Sequence, residues 1–401
     1  MSPLTTLTLP RDFSPERTSA AFSSQWTNPS DAFSVLLIVG GDTVARALAQ
    51  LTGSVVAPVA FSFGWVAYAV TAVISAIGEK RLMPLPDCAC IVINGRTGYI
   101  RTNYSWIIGR IVRDYESWMD SDIKKRVQWI IEERWKSDKE KAEARQPGSG
   151  RKVQKPTQAG LCVSVYTACY ARSGYSGRDW IFYLGFFTSI VQLGIASIPC
   201  GIYGDWGILM ITASGIALSF VAGSLPQWKR EKWACRQETE KTVILTRGNG
   251  SQHAIVIIGD KNGLDFEDLA MGPITANVSA SLPTIALLIV LAVLWILLLI
   301  TVSGLRHHTW FLLAIGLIGM VQNVVATGIG RSPENFGIPL EYNRVFAEPK
   351  VMDTLFAVED SFHRVGRSML ETFFPGPLRP EENKRWEEYE RRADRLDRQS
   401  R

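Results

Sequence analysis

Residues 282–304, "LPTIALLIVLAVLWILLLITVSG", carry no charged side chain and would present apolar surface on every face of a helix. A helix over this stretch rises about 34 Å at 1.5 Å per residue, more than the ~30 Å hydrocarbon core of a bilayer. The same lack of charge recurs at 47–78, 180–204, 206–228 and, histidines aside, 307–330. Five transmembrane helices are therefore expected, at 55–78, 180–204, 206–228, 282–304 and 309–330. One such run could be the buried helix of a large soluble core, but five in one chain could not all be hidden there.

The mean hydropathy of +0.07 averages over two populations. Of 43 Lys and Arg, 19 fall in 79–179, 7 in 229–281 and 13 in 331–401. A soluble enzyme distributes its charges along every amphipathic element, so this segregation argues against that class. Five helices in series place the three basic blocks on one side. Lys80, Arg81, Arg172, Arg178, Lys229, Arg230, Lys232 and Arg331 flank the helix ends there, against Arg306 and Arg46 opposite. Basic flanks resist translocation, so that side is expected to be the cytosol, in the plasma membrane or an endomembrane.

Residues 1–31 lack a basic start followed by an apolar core and read as a disordered lead-in without a cleavable signal. Residues 32–52 allow two readings. Asp42 and Arg46 stand four apart and can neutralise each other in a sixth membrane helix, or the segment lies at the interface with Val44, Ala47 and Leu48 turned inward.

Between the spans, the sequence predicts a cytosolic α+β domain built from inter-helix loops. Strands are expected near 90–94 and 99–102, followed by amphipathic helices over 105–143 and a basic linker. "LCVSVYTACY" (161–170) reads as a strand, and "KTVILTRGNGSQHAIVIIGD" (241–260) as a hairpin around Gly-Asn-Gly. Helix is expected across Val351–Phe373 and again over 381–401, whose Trp386, Tyr389, Ala393, Leu396 stripe either docks a partner or stays exposed.

Polar groups inside a span are costly, which makes each one a candidate site. Gln192, Gln322 and Asn323 qualify; the amides either cross-link helices or line a polar path. Gly215, Ser219 and Gly223 form a small-residue stripe suited to close approach of another helix. The six cysteines lie in the membrane or on the expected cytosolic side, so disulfides are not expected. Cys88 and Cys90 are either reduced thiols beside a strand or acylation sites. Four scattered histidines, His253, His307, His308 and His363, suggest no zinc site. Walker and nucleophile-elbow patterns are absent, and no cofactor is implied.

"GGDTVARALAQLTG", "PVAFSFGWVAYAV", "SWIIGRIVRDYESWM", "LTRGNGSQHAIVIIG", "GLDFEDLA", "IGMVQNV" and "VGRSMLETFFPGPLR" resemble a broad group of multi-pass membrane proteins predicted from filamentous fungal genomes. The likeness runs from about residue 35 to 390. It implies a fungal integral membrane protein and carries no activity with it. Two functions fit the residues: a non-enzymatic scaffold, sensor or regulator acting through the cytosolic domain, or a small-solute or ion transporter. The expected partners are the bilayer, anionic headgroups at the 105–143 helices, and a protein at the domain or C-terminal helix. Nucleic acid is not expected, because 79–179 intersperses 12 acids among its bases.

Overall fold

The computed structural model describes residues 30–145, 153–175, 177–305 and 307–399. The expectations for the lead-in before residue 30, for linker residues 146–152 and for Arg306 lie outside them. The chain is mostly helical, with a helical bundle at one end and a small sheet domain at the other.

Three helices are long and apolar enough to cross a membrane: α6 (Trp180–Tyr203), α10 (Leu282–Ser303) and α11 (Thr309–Gly328). A fourth crossing exists if α7 (Gly207–Gly223) and α8 (Pro226–Lys232), bent by 42°, count as one. The expected continuous helix over 206–228 is thus broken at Ser224–Leu225, where Pro226 starts a new helix at the position where its missing N–H costs nothing. Along α10, Leu287, Val290, Val293, Leu294, Leu297 and Ile300 face outward. An apolar surface of that extent is consistent with an integral membrane protein. α6 starts where Asp179 accepts from Phe182 N–H and stops at Gly204, whose φ of 72° closes the helix.

The largest departure from expectation concerns 55–78. Helix α2 begins only at Gly64 and ends at Gly78, about 22 Å long. Residues 55–63 are not helical, although Ala57, Val59, Ala60, Phe61 and Phe63 are buried in the bundle. Pro58 supplies no N–H and holds Ala57 out of the helical region, which breaks the apolar run. Upstream, α1 (Ser30–Leu51) covers the ambiguous 32–52 segment with one helix. It packs on α2 so closely that a Cβ on Gly40 would lie 2.6 Å from Gly64 Cα.

The domain centres on one six-stranded sheet, ordered β2-β1-β5-β6-β3-β8. Its strands are β1 (Ile91–Asn94), β2 (Ile100–Thr102), β3 (Leu161–Ala168), β5 (Val243–Thr246), β6 (His253–Ile258) and β8 (Leu340–Glu348). β3 runs parallel to β6 and the other neighbours are antiparallel. A separate pair joins β4 (Gln237–Thr239) to β7 (Gly263–Leu264). Two inter-helix loops were expected to build the sheet; β8 adds a third segment, beyond the last span, and pairs along all of β3. Helices cover both faces. Trp106–Arg113 (α3), Tyr115–Trp118 (α4) and Ser121–Arg145 (α5) pack on one, which explains why β3 is almost wholly buried rather than alternating.

Helices α12 (Val351–Ser361), α13 (Val365–Phe373) and α14 (Pro380–Gln399) form the other layer. The single helix expected over Val351–Phe373 is interrupted at Arg364, which takes a left-handed φ of 68°. The Trp386, Tyr389, Ala393 stripe of α14 is buried, with Trp386 4.9 Å from Phe356 between ring centroids. That face, read from sequence as exposed or awaiting a partner, is occupied by the chain's own α12. Leu396 stays exposed.

Candidate functional site: an amide clamp and a buried charge layer

An extended backbone inside an apolar bundle leaves N–H and C=O groups that must find partners. Here they find the three amides. Gln192 Nε2 donates to Phe61 O at 2.7 Å and to Ile315 O at 2.9 Å. Ala60 N–H donates to Gln322 Oε1 at 3.2 Å, while Asn323 Nδ2 donates to Ala60 O at 3.3 Å and Ser62 Oγ at 3.2 Å. Trp65 Nε1 adds a bond to Ala60 O at 2.9 Å. α6 and α11 thus hold the segment 60–62 from two sides, and Gln192 also ties the two helices together.

The small-residue stripe serves the same segment. A Cβ on Gly215 would lie 2.5 Å from the Phe61 ring, and one on Gly223 would lie 2.8 Å from Ala57 Cβ. The close neighbour expected there was another helix, but the stripe is narrow because an extended strand with large side chains lies over it. Ser219 is buried and donates to Ile216 O within its own helix. Phe61 and Trp65 both stack on Trp295, at 6.1 and 5.5 Å.

Both ends of the segment return to one place. Lys232 Nζ donates to Gln50 O (3.1 Å) and Thr52 O (2.8 Å), where it begins. The adjacent Glu231 accepts from Leu82 N–H (2.9 Å) and Met83 N–H (2.7 Å), just beyond its end. Residues 52–82 therefore enter and leave the bundle at the same end, with their tip at the mid-helix amides.

That end carries a layer of buried charge joining bundle to domain. Arg110, fully buried on α3, donates to Thr327 O and Ile329 O, both at 3.0 Å, and pairs with Asp87 at 3.1 Å. It thereby satisfies carbonyls left open at the C-terminus of α11. Arg113 reinforces Asp87 (2.8 Å) and Asp114 (2.7 Å). Arg331 makes two bonds to Asp179 (2.8 and 2.9 Å) and reaches Gln50 O and Gly177 O. Burial raises the Glu231 pKa and, with Arg331 and Arg110 nearby, lowers that of Lys232. Of these, only Lys232 and Arg331 read in sequence as flanking charges. Their burial had no sequence signal, because a basic flank on water and one buried against a carbonyl look the same.

The remaining candidates do not join this site. Asp42 and Arg46 pair with each other at 2.9 Å on an exposed face of α1. Cys88 and Cys90 are buried against the α3 layer and not available to an acyl donor, and burial pushes the Cys90 thiol up to about 12. His308 stacks on Tyr203 at 4.3 Å, far from His253 and His363 in sequence. Among the described residues no three His, Cys, Asp or Glu gather as a metal-binding set. No family model, curated protein or solved structure matches this chain.

Proposed function

We propose that the chain is a five-span integral membrane protein, formed by α1, α6, α7, α10 and α11, with 52–82 as a re-entrant hairpin and the sheet domain in the cytosol. It acts as a non-enzymatic scaffold, sensor or regulator. The supporting observation is the buried charge layer: Arg110, Arg331, Lys232 and Glu231 fix the domain, the hairpin and three helix ends to one another. A lipid-facing bundle and a soluble domain locked in this way move together, so a change at one is felt by the other. The resemblance to fungal membrane proteins accords with this reading.

Orientation has a direct test. Asn249 and Asn277 stand in exposed glycosylation sequons on the domain side; expressed in a eukaryotic host, both are expected to stay bare, and sugar at Asn249 would invert the topology. The third sequon carries no information, because Asn103 is buried with both side-chain polar atoms bonded to Ser105 backbone.

Transport is the second reading. In its favour stands the half-helix α2, whose N-terminus lies at the mid-helix amides as in broken-helix transporters. Gln322→Leu separates the two. Removing the partner of Ala60 N–H is expected to lower stability by about 1–3 kcal/mol, seen as reduced yield and an earlier thermal transition. A variant of wild-type yield and melting that loses a measured solute flux would favour transport instead.

A further inference from the structure

At the junction of bundle and domain a groove of about 870 Å³ opens between residues 172–175 and 178, the first turn of α6, α8 and residues 53–56. Three cations line it: Arg172, Arg178 and Lys229, all exposed. Neighbouring acids are already committed. Asp179 is held by Arg331 and caps α6, and Glu231 accepts from Leu82, Met83 and Gln227. Among the described residues no carboxylate lies within ion-pair distance of the three. Lys229 is set in place by Gly174: a Cβ there, at φ +81°, would fall 2.7 Å from Lys229 Nζ. The lysine therefore lies across the loop that carries both arginines.

Two apolar members of the lining are turned outward. Val55 is 87% exposed and Tyr183, in the first turn of α6, is 56% exposed, with Phe182 beside it. Cations at the mouth of a span and apolar surface on the span itself suit a ligand with an anionic head and a hydrocarbon tail. Another cleft, about 530 Å³ within the domain, differs in kind. Its Arg96 and Arg364 are neutralised by Asp394 and Asp397. The basic face of α5, expected from sequence to meet headgroups, likewise pairs internally, as Arg134 with Asp138 and Lys136 with Glu133.

Resting on the membrane reading above, we infer that the Arg172–Arg178–Lys229 groove binds the phosphate of an anionic membrane lipid. The groove holds the headgroup between the three cations while the acyl chains descend past Val55 and Tyr183.

The test uses full-length protein in neutral detergent, titrated with dioctanoyl phosphatidylinositol 4-phosphate, dioctanoyl phosphatidylcholine and inorganic phosphate. The anionic lipid is expected to bind and the zwitterionic one not to. Affinity should fall roughly fivefold for Lys229→Gln and about a hundredfold for Arg172→Gln/Arg178→Gln/Lys229→Gln. Val55→Asn, which removes apolar surface without adding charge, should weaken the lipid and leave inorganic phosphate unchanged. Equal binding of both lipids, or an unaltered affinity in a triple variant that melts like wild type, overturns the site. Should the triple variant fail to fold, the single Lys229→Gln and Val55→Asn titrations decide alone. Inorganic phosphate competing as well as the lipid, with Val55→Asn neutral, reassigns the groove to a soluble phosphate and overturns the lipid proposal. These failures leave the membrane reading intact; recovery of the chain in a detergent-free supernatant would remove that reading itself.

Discussion

Arg331→Met is expected to destabilise the protein by about 3–5 kcal/mol, the usual result of removing one member of a buried ion pair. The loss has three sources: Asp179 keeps its charge without a cation, Gly177 O loses its donor, and Gln50 O keeps only Lys232 of its two. Methionine fills much of the same volume, so little of the effect would come from a cavity. Thiol-reactive dye unfolding suits the measurement, because Cys88, Cys90 and Cys162 are all buried and become reactive only as the domain opens. Asp179→Asn should cost less, since an asparagine can still cap α6. In the double variant the two losses should not add, the coupling being about 0.5–3 kcal/mol. Additive losses would mean that the two residues do not depend on each other, and the layer would lose its place as the joint between bundle and domain.

The same layer shows what a sequence can and cannot disclose. The apolar spans α6, α10 and α11 were legible because oil excludes charge over a length set by the bilayer, and that constraint is written residue by residue. The charge-free run 47–78 met the same criterion yet conceals a hairpin. Absence of charge says that a segment avoids water; it does not say whether the chain continues to the far side. What turns this segment back is Pro58, together with Glu231 and Lys232 at its two ends, and the latter pair with it from 148 or more residues away. Gln192, Gln322 and Asn323 stood out as unexplained polar groups, but their target was hidden, because it is main chain and main chain leaves no residue signature. β8 was missed for a related reason. "LEYNRVFAE" is an edge strand with mixed polar and apolar residues on both faces, and only β3 beside it makes that pattern a strand. The C-terminal stripe was visible and its partner was not, since α12 lies outside any local window.

Gly319→Val tests the hairpin most directly. Gly319 sits on α11 against the carbonyl of Phe61, and a Cβ there would overlap that oxygen and approach Gln192 Nε2 to 2.7 Å. A flexible side chain could yield, but here the obstacle is backbone, fixed by Gln192 on one side and by Gln322 and Asn323 on the other. The segment must move out, which costs about 1–3 kcal/mol for overpacking and about 1–3 kcal/mol more for the buried Phe61 carbonyl that loses its donor. Gly194→Ala on α6 is the control, for nothing lies within 4 Å of its added Cβ. On helix propensity alone it should be neutral or stabilising by up to about 1 kcal/mol. Thermal unfolding in detergent should therefore separate the two variants widely. If they melt together, residues 57–63 do not occupy the middle of the bundle, and the three amides would have to be explained by some other polar group.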